Sequence, residues 1–307
     1  MVSLCRNCLL VAVPSINAYV SNFRFLSSKK MPKEKQAEIM SKGLPKKKEI
    51  PGVKNVLLIV SGKGGVGKST TAVNVAAALA NEKHLNVGLL DADVFGPSVP
   101  LMMNLNETPL LTKDNKMIPL INYGVKCMSM GFLVSEKSAV IWRGLMVMSA
   151  LDKLLRHVDW GRLDFLVVDT PPGTGDTLLS LIQNIPISGV VIVSTPQLSA
   201  VQVARRGASM LKKLDIPIIG LISNMNTVNC PKCSNDISVF GNHISNLATE
   251  LGAPLLADIP LDSDISNCSD SGKPVVISKP RSAQGKKYTE VATKIVEYFS
   301  TRSSSSL

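Results

Sequence analysis

From residue 55 onward the chain alternates two patterns. The stretches "NVLLIVS", "NVGLLDAD", "DFLVVDTPPG", "GVVIVSTP", "IIGLISNM" and "PLLADIP" are unbroken apolar runs that end in polar or turn-forming residues. Apolarity without a period of two predicts strands buried on both faces, as in a parallel sheet. Between them, "STTAVNVAAALANE", "SAVQVARRGASMLKKLD" and "FGNHISNLATELG" carry apolar residues at helical spacing. A last helix is predicted over about "SAQGKKYTEVATKIVEYFS". Strands alternating with helices predict βαβ units, and so an α/β fold with a doubly wound, mainly parallel sheet. Ligands of such sheets bind beyond the carboxyl ends of the strands. Polar residues collect at those ends: after Val60, at Asp91 and Asp93, at Asp169, at Thr195 and at Asn224.

Composition changes the picture mainly at the front. The net charge is +11, which would ordinarily suggest an anionic partner. However, residues 1–54 hold eleven of the 34 Lys/Arg and only three of the 23 Asp/Glu. A basic leader explains the excess better than a basic binding face, so nucleic acid is not expected as a partner. Residues 1–33 contain no acid and carry Arg6, Arg24, Lys29, Lys30 and Lys33 among Ser and Asn. That is the composition of a mitochondrial transit peptide. A secretory signal fits less well, because Pro14, Asn17 and Asn22 interrupt the apolar stretch. The run at 9–13 falls short of the roughly 20 residues that span a bilayer. No later segment reads as a membrane helix, so no stable membrane insertion is expected. The expected organisation is a transit peptide over 1–33, a basic linker over 34–54, one globular domain over 55–300 and a disordered tail over 301–307.

The segment between the first strand and the first helix is "SGKGGVGKST". It fits G-x-x-x-x-G-K-[ST] at Gly62, Gly67, Lys68 and Ser69. Gly62, Gly64, Gly65 and Gly67 let the backbone N–H groups around Val66 turn inward on a polyphosphate. The helix opening at Ser69 and Thr70 adds the positive end of its dipole. Lys68 is expected on the β- and γ-phosphates of ATP, and the Ser69 hydroxyl on Mg²⁺. Asp169 ends the strand of "LVVDTPPGTGD", the place from which a carboxylate helps hold Mg²⁺. The loop at 170–176, with two prolines and two glycines, reads as a γ-phosphate-sensing switch. Asp91 and Asp93 lie just past another strand; Asp93 is assigned to the attacking water and Asp91 to support of the metal.

Six cysteines are too few for a disulfide scaffold. Two CxxC pairs, Cys5/Cys8 and Cys230/Cys233, point instead to metal or redox chemistry. Cys5 and Cys8 would leave with the presequence. Cys230 and Cys233 sit in a proline-containing turn, "NCPKCSND". Three chemistries fit the pair: half of a four-thiolate iron–sulfur site, half of a structural Zn²⁺ site, or a dithiol redox pair.

Lys63, at the second position of the loop, resembles the deviant Walker A of the MinD/ParA/nitrogenase-iron-protein class of P-loop NTPases. Within that class, "DADVFGPSVP", "WRGLM", "VVDTPPGTGD", "STPQ" and "CPKC" together resemble the Mrp-type iron–sulfur carrier ATPases. "IMSKGLPKKKEI", "NYGVKCMSMGFLV" and "WRGLMVMSALDKLL" are similar to its mitochondrial nucleotide-binding protein-like branch. The likeness runs from about residue 39 to the C-terminal helix. It implies that Lys63 reaches across a dimer interface to phosphates held by the other subunit. It implies that Asn224 reads the amide edge of adenine and that Pro260 lies beside the base. It also implies that Cys230 and Cys233 of two subunits share one bridging [4Fe–4S] cluster. The implied protein is a slow ATPase of the mitochondrial matrix. It works as a homodimeric carrier and delivers clusters to apo client proteins, chiefly subunits of respiratory complex I. A positioning switch of the MinD/ParA type and a Zn-stabilised regulatory ATPase are the alternatives. One departure stands out: Val203 occupies a place where the family usually shows an acid, and Leu198 one that is commonly polar. That bears on how the nucleotide state reaches a client or a second subunit.

Overall fold

A computed structural model describes residues 47–304, apart from Phe95, 134–143, Thr174, Pro231 and Ser234. The expected transit peptide, Cys5 and Cys8, the linker up to residue 46 and the end of the tail lie outside these residues. The fold is that of the compact unit Pro45–Leu307.

Eight strands form one sheet in the order β10-β7-β6-β1-β5-β2-β4-β3. They are β1 (Val53–Ser61), β2 (Val87–Asp91), β3 (Leu120–Asn122), β4 (Val125–Ser129), β5 (Leu163–Asp169), β6 (Gly189–Ser194), β7 (Ile218–Asn224) and β10 (Leu255–Ile259). All pairings are parallel except that of the edge strand β3 with β4. The central strands are apolar throughout because both faces are covered. Val56, Leu58 and Val60 of β1 enter one core, and Leu57 and Ile59 enter the other. Each such side chain contributes about 1.5–3 kcal/mol when taken fully out of water. The expected doubly wound, mainly parallel sheet is the one observed.

The helices are α1 (Lys68–Asn81), α2 (Val99–Met102), α3 (Gly144–Arg156), α4 (Asp176–Asn184), α5 (Leu198–Lys213), α6 (His243–Leu251), α7 (Ser263–Asp270), α8 (Val275–Ser278) and α9 (Ala283–Ser304). Local chemistry sets several ends. Gly252 closes α6 with a left-handed φ of 63°, the conformation glycine adopts at no steric cost. The Asp262 side chain caps α7 by accepting from the Asp264 N–H. Two ends differ from expectation. Ile50 is buried and the Lys48 N–H donates to the Asn184 carbonyl, so the last residues of the linker belong to the fold. At the other end α9 runs on to Ser304, with the Arg302 guanidinium donating to the Tyr298 hydroxyl.

Outside the main sheet, β8 (Thr227–Asn229) and β9 (Asp236–Ser238) form a two-stranded antiparallel hairpin. No described helix is long and apolar enough to cross a membrane.

Candidate functional site

The sheet register sets the polar ends of the strands side by side. Asp91 lies opposite Asp169 across β2 and β5, and opposite Ser129 across β2 and β4. The phosphate-binding loop rises from the end of β1 between β5 and β6, where connections depart to opposite sides and a crevice opens.

The loop is built around glycine at two places. Gly67 has a φ of 85° and is the N-cap of α1. A Cβ there would lie 2.1 Å from Asn224 Nδ2. A Cβ on Gly62 would lie 2.7 Å from the Ala204 nitrogen and 3.0 Å from Val203 Cγ1. The first loop glycine therefore packs straight onto the backbone of α5. Val203, the residue that departs from the family pattern, touches the phosphate loop. Leu198, at the start of the same helix, is exposed. The N-terminus of α1 has no side-chain cap and no acid in its first turn, which leaves its positive end for an anion.

Lys68 and Asp169 are both buried, with Nζ 2.6 Å from Oδ1. Lys68 Nζ also donates to Ser69 Oγ at 3.3 Å. Asp169 Oδ2 is buried with no hydrogen-bond partner. An orphaned carboxylate oxygen close to the loop serine is a donor set suited to Mg²⁺, a hard cation that takes oxygen ligands. Burial pushes the Asp169 carboxyl up; the Lys68 ammonium opposes this, and the charge of Asp93 adds to the rise. Asp93 is half-buried.

Asp91 is fully buried. Its Oδ1 accepts from the Asp93 N–H at 3.1 Å. Its Oδ2 accepts from the Ser98 N–H at 3.1 Å, the Val99 N–H at 3.2 Å and Ser129 Oγ at 3.0 Å. Burial, then the charge of Asp169, push its carboxyl up to about 7 against the pull of the Val99 N–H, the Ser129 hydroxyl and the Asp93 N–H. Oδ2 is taken up by its three donors, whereas Oδ1 accepts a single hydrogen bond and keeps a lone pair, so Asp91 can support a metal only through Oδ1.

The switch loop lies along the phosphate loop. Thr170 Oγ1 donates to the Ile59 carbonyl at 2.9 Å, and the Gly173 N–H to the Ser61 carbonyl at 2.9 Å. Lys63 is exposed.

Asn224 and Pro260 come together with Gly67, Thr70, Met102, Met225, Leu261 and Ile265 in one cleft of about 310 Å³. Asn224 is buried and donates from Nδ2 to the Val66 carbonyl at 2.8 Å. That leaves its oxygen for a ligand.

Cys230 and Cys233 flank the tip of the β8–β9 hairpin; Cys230 is half-buried and Cys233 exposed. The Cys230 N–H donates to the Asn235 carbonyl at 2.9 Å. The Cys230 thiol is held below its ordinary range by the N–H of Cys233 first and of Lys232 second. Such a turn stabilises a thiolate, the form that ligates metal. Among the described residues no group of three or more His, Cys, Asp or Glu is placed to hold a metal ion. Cys127 and Cys268 are buried.

The hairpin is tied to the cleft. The Leu261 N–H donates to the Thr227 carbonyl at 2.8 Å, and the Asn226 N–H to the Ile259 carbonyl at 3.1 Å. Sequence reasoning gave no role to Ser129, although it lies in the quoted segment "NYGVKCMSMGFLV", and missed these backbone ties.

Fold and site define a P-loop NTPase of the MinD/ParA kind. The fold is shared with the cell-division ATPase MinD of Pyrococcus furiosus, with a TM-score of 0.60 at 22% identity over 80% of this chain and 99% of that one. Residues 52–296 match a ParA-type family model described as "NUBPL iron-transfer P-loop NTPase", and the chain belongs to that family. It is 56% identical over 266 residues to the mouse "Iron-sulfur cluster transfer protein NUBPL", covering 86% of this chain and 83% of that one. It is 53% identical over 247 residues to an Arabidopsis thaliana "Iron-sulfur protein required for NADH dehydrogenase, mitochondrial", covering 80% and 79%. Among solved structures it resembles an Archaeoglobus fulgidus nucleotide-binding protein in complex with ADP. The TM-score is 0.65 and the identity 33%, over 73% of this chain and 89% of that one.

Proposed function

We propose that this chain is an ATP-dependent iron–sulfur cluster carrier that serves the assembly of respiratory complex I in the mitochondrial matrix. The observation that carries the proposal is the short physical path between two sites. Asn224 borders the nucleotide cleft, and Cys230 follows six residues later, at most about 20 Å of extended chain. Pro260 and Leu261 wall the cleft, and Leu261 is bonded to the first strand of the cysteine hairpin. A base that shifts this wall shifts the hairpin with it.

In this reading the phosphate loop from Gly62 to Thr70 holds ATP, and Lys68 leaves Asp169 for the phosphates. Ser69 and Asp169, with Asp91 in support, would hold Mg²⁺, which would supply charge neutralisation at the phosphates. Asp93 orients water, and Asn224 and Pro260 take the base. Lys63 acts on the nucleotide of a second subunit, where a cation stabilises the charge of the departing phosphate. A two-fold dimer presents Cys230 and Cys233 twice and so completes a four-thiolate set for one [4Fe–4S] cluster, the cargo. ATP then works as a population switch between dimer geometries that keep and release cargo, and turnover is slow without a client. Residues 1–33 serve as the removable mitochondrial presequence. The relatives' names and the thiolate-stabilising turn support this reading over a positioning switch, which leaves the hairpin unexplained. The test is anaerobic loading with iron and sulfide, with wild type against a Cys230→Ala/Cys233→Ala chain. A cluster that forms equally in both refutes the cargo assignment.

A further inference from the structure

The segment "NYGVKCMSMGFLV" has so far had no chemical role. We propose that Ser129 and Gly131, at the corner where β4 meets the 3-10 turn Met130–Phe132, are positioning residues for hydrolysis. They fix Asp91, and through it the loop that presents Asp93.

Asp91 is a hub buried to zero exposure. One of its oxygens holds the Asp93 N–H; the other holds the Ser98 and Val99 N–H groups and the Ser129 hydroxyl. The serine comes from the neighbouring strand, directly opposite Asp91 in the register. Its oxygen in turn accepts from the Gly131 N–H at 3.0 Å. The corner also touches the far end of the same loop. A Cβ on Gly131 would lie 2.9 Å from Pro100 Cγ and 3.3 Å from Pro97 Cβ. Asp93, Ser98 and Val99 are therefore held by Asp91 from beneath, and Pro97 and Pro100 meet the Ser129–Gly131 corner from the side. A buried carboxylate that accepts four hydrogen bonds fixes geometry well.

The inference rests on Asp93 acting on the attacking water. The test uses Ser129→Ala, Ser129→Thr and Gly131→Ala in the full chain. ATP affinity, the Mg²⁺ dependence and single-turnover hydrolysis are measured well below each variant's Tm. Ser129→Ala is expected to hydrolyse ATP about five- to ten-fold more slowly, the effect of roughly one hydrogen bond on a rate. Its ATP affinity and the Mg²⁺ concentration for half-maximal rate stay at wild-type values. Ser129→Thr, which keeps the hydroxyl, stays near the wild-type rate. Gly131→Ala, which crowds the two prolines, repeats the defect of Ser129→Ala. An unchanged rate in both Ser129→Ala and Gly131→Ala overturns the proposal. So does a slowed Ser129→Ala whose rate is restored by raised Mg²⁺, which would place the effect of Ser129 on the metal rather than on Asp93. Failure of the unsubstituted chain to bind ATP is a separate result that sinks the nucleotide reading itself.

Discussion

Asn224 Nδ2 donates to the Val66 carbonyl at 2.8 Å. One side chain thus joins the phosphate loop to the strand that runs into the cysteine hairpin. Asn224→Ala leaves a buried carbonyl without its donor, at a cost of about 1–3 kcal/mol. Calorimetric titration should show weaker binding of both ATP and inorganic tripolyphosphate, with the larger loss for ATP, since only ATP also loses its base contact. Equal losses would assign Asn224 to loop support alone.

The Lys68–Asp169 pair makes a prediction about the empty protein. Removing one partner of a buried pair costs about 3–5 kcal/mol. In Lys68→Ala, Asp169 keeps the burial that raises its pKa and loses the ammonium that opposes it. A carboxyl raised in the folded state keeps its proton where the unfolded chain has lost it. Its contribution is therefore fully present at low pH and declines as pH rises through the folded pKa. Urea denaturation should find Lys68→Ala further below wild type at about pH 8 than at about pH 5. A deficit independent of pH would contradict the raised pKa of the buried Asp169 carboxyl.

Lys63 is exposed within the loop, where Lys68 is the lysine proposed for the loop's own phosphates. Lys63→Ala should therefore bind ATP but fail to self-associate on ATP addition in sedimentation velocity, and should lose hydrolysis. A variant that dimerises and turns over like wild type would return Lys63 to the role of a solvated loop residue.

The turn N–H groups that stabilise the Cys230 thiolate lower its pKa. Alkylation of the metal-free, reduced chain, followed by peptide mapping, should label Cys230 with a pH midpoint below that of an ordinary thiol. Cys127 and Cys268 are buried and should label only on unfolding. A Cys230 midpoint at or above the ordinary value would remove the hairpin's claim to be a thiolate-stabilising turn.

The strands were legible where burial on both faces makes a run continuous, as in "NVLLIVS" and "GVVIVSTP". The phosphate loop was legible because its chemistry lies within ten consecutive residues. Of the β8–β9 hairpin only the turn at "NCPKCSND" was legible, and its strand pairing was not. Most of its residues are exposed, so no apolar period marks it. The part played by Asp91 depends on Ser129, which is 38 residues away and becomes its neighbour only once β4 is placed beside β2. A motif can name two aspartates, but it cannot say which one the sheet turns inward.

The measurement closest to the central claim is cluster transfer. The chain is loaded anaerobically with iron and sulfide, its iron, sulfide and zinc are quantified, and it is mixed with an apo iron–sulfur acceptor with and without Mg-ATP. The account predicts a visible-absorbing cluster that depends on Cys230 and Cys233, little zinc, and a transfer rate that changes with ATP in wild type but not in Lys68→Ala. A cluster that persists without both cysteines, or transfer indifferent to ATP in the wild-type chain, would contradict it.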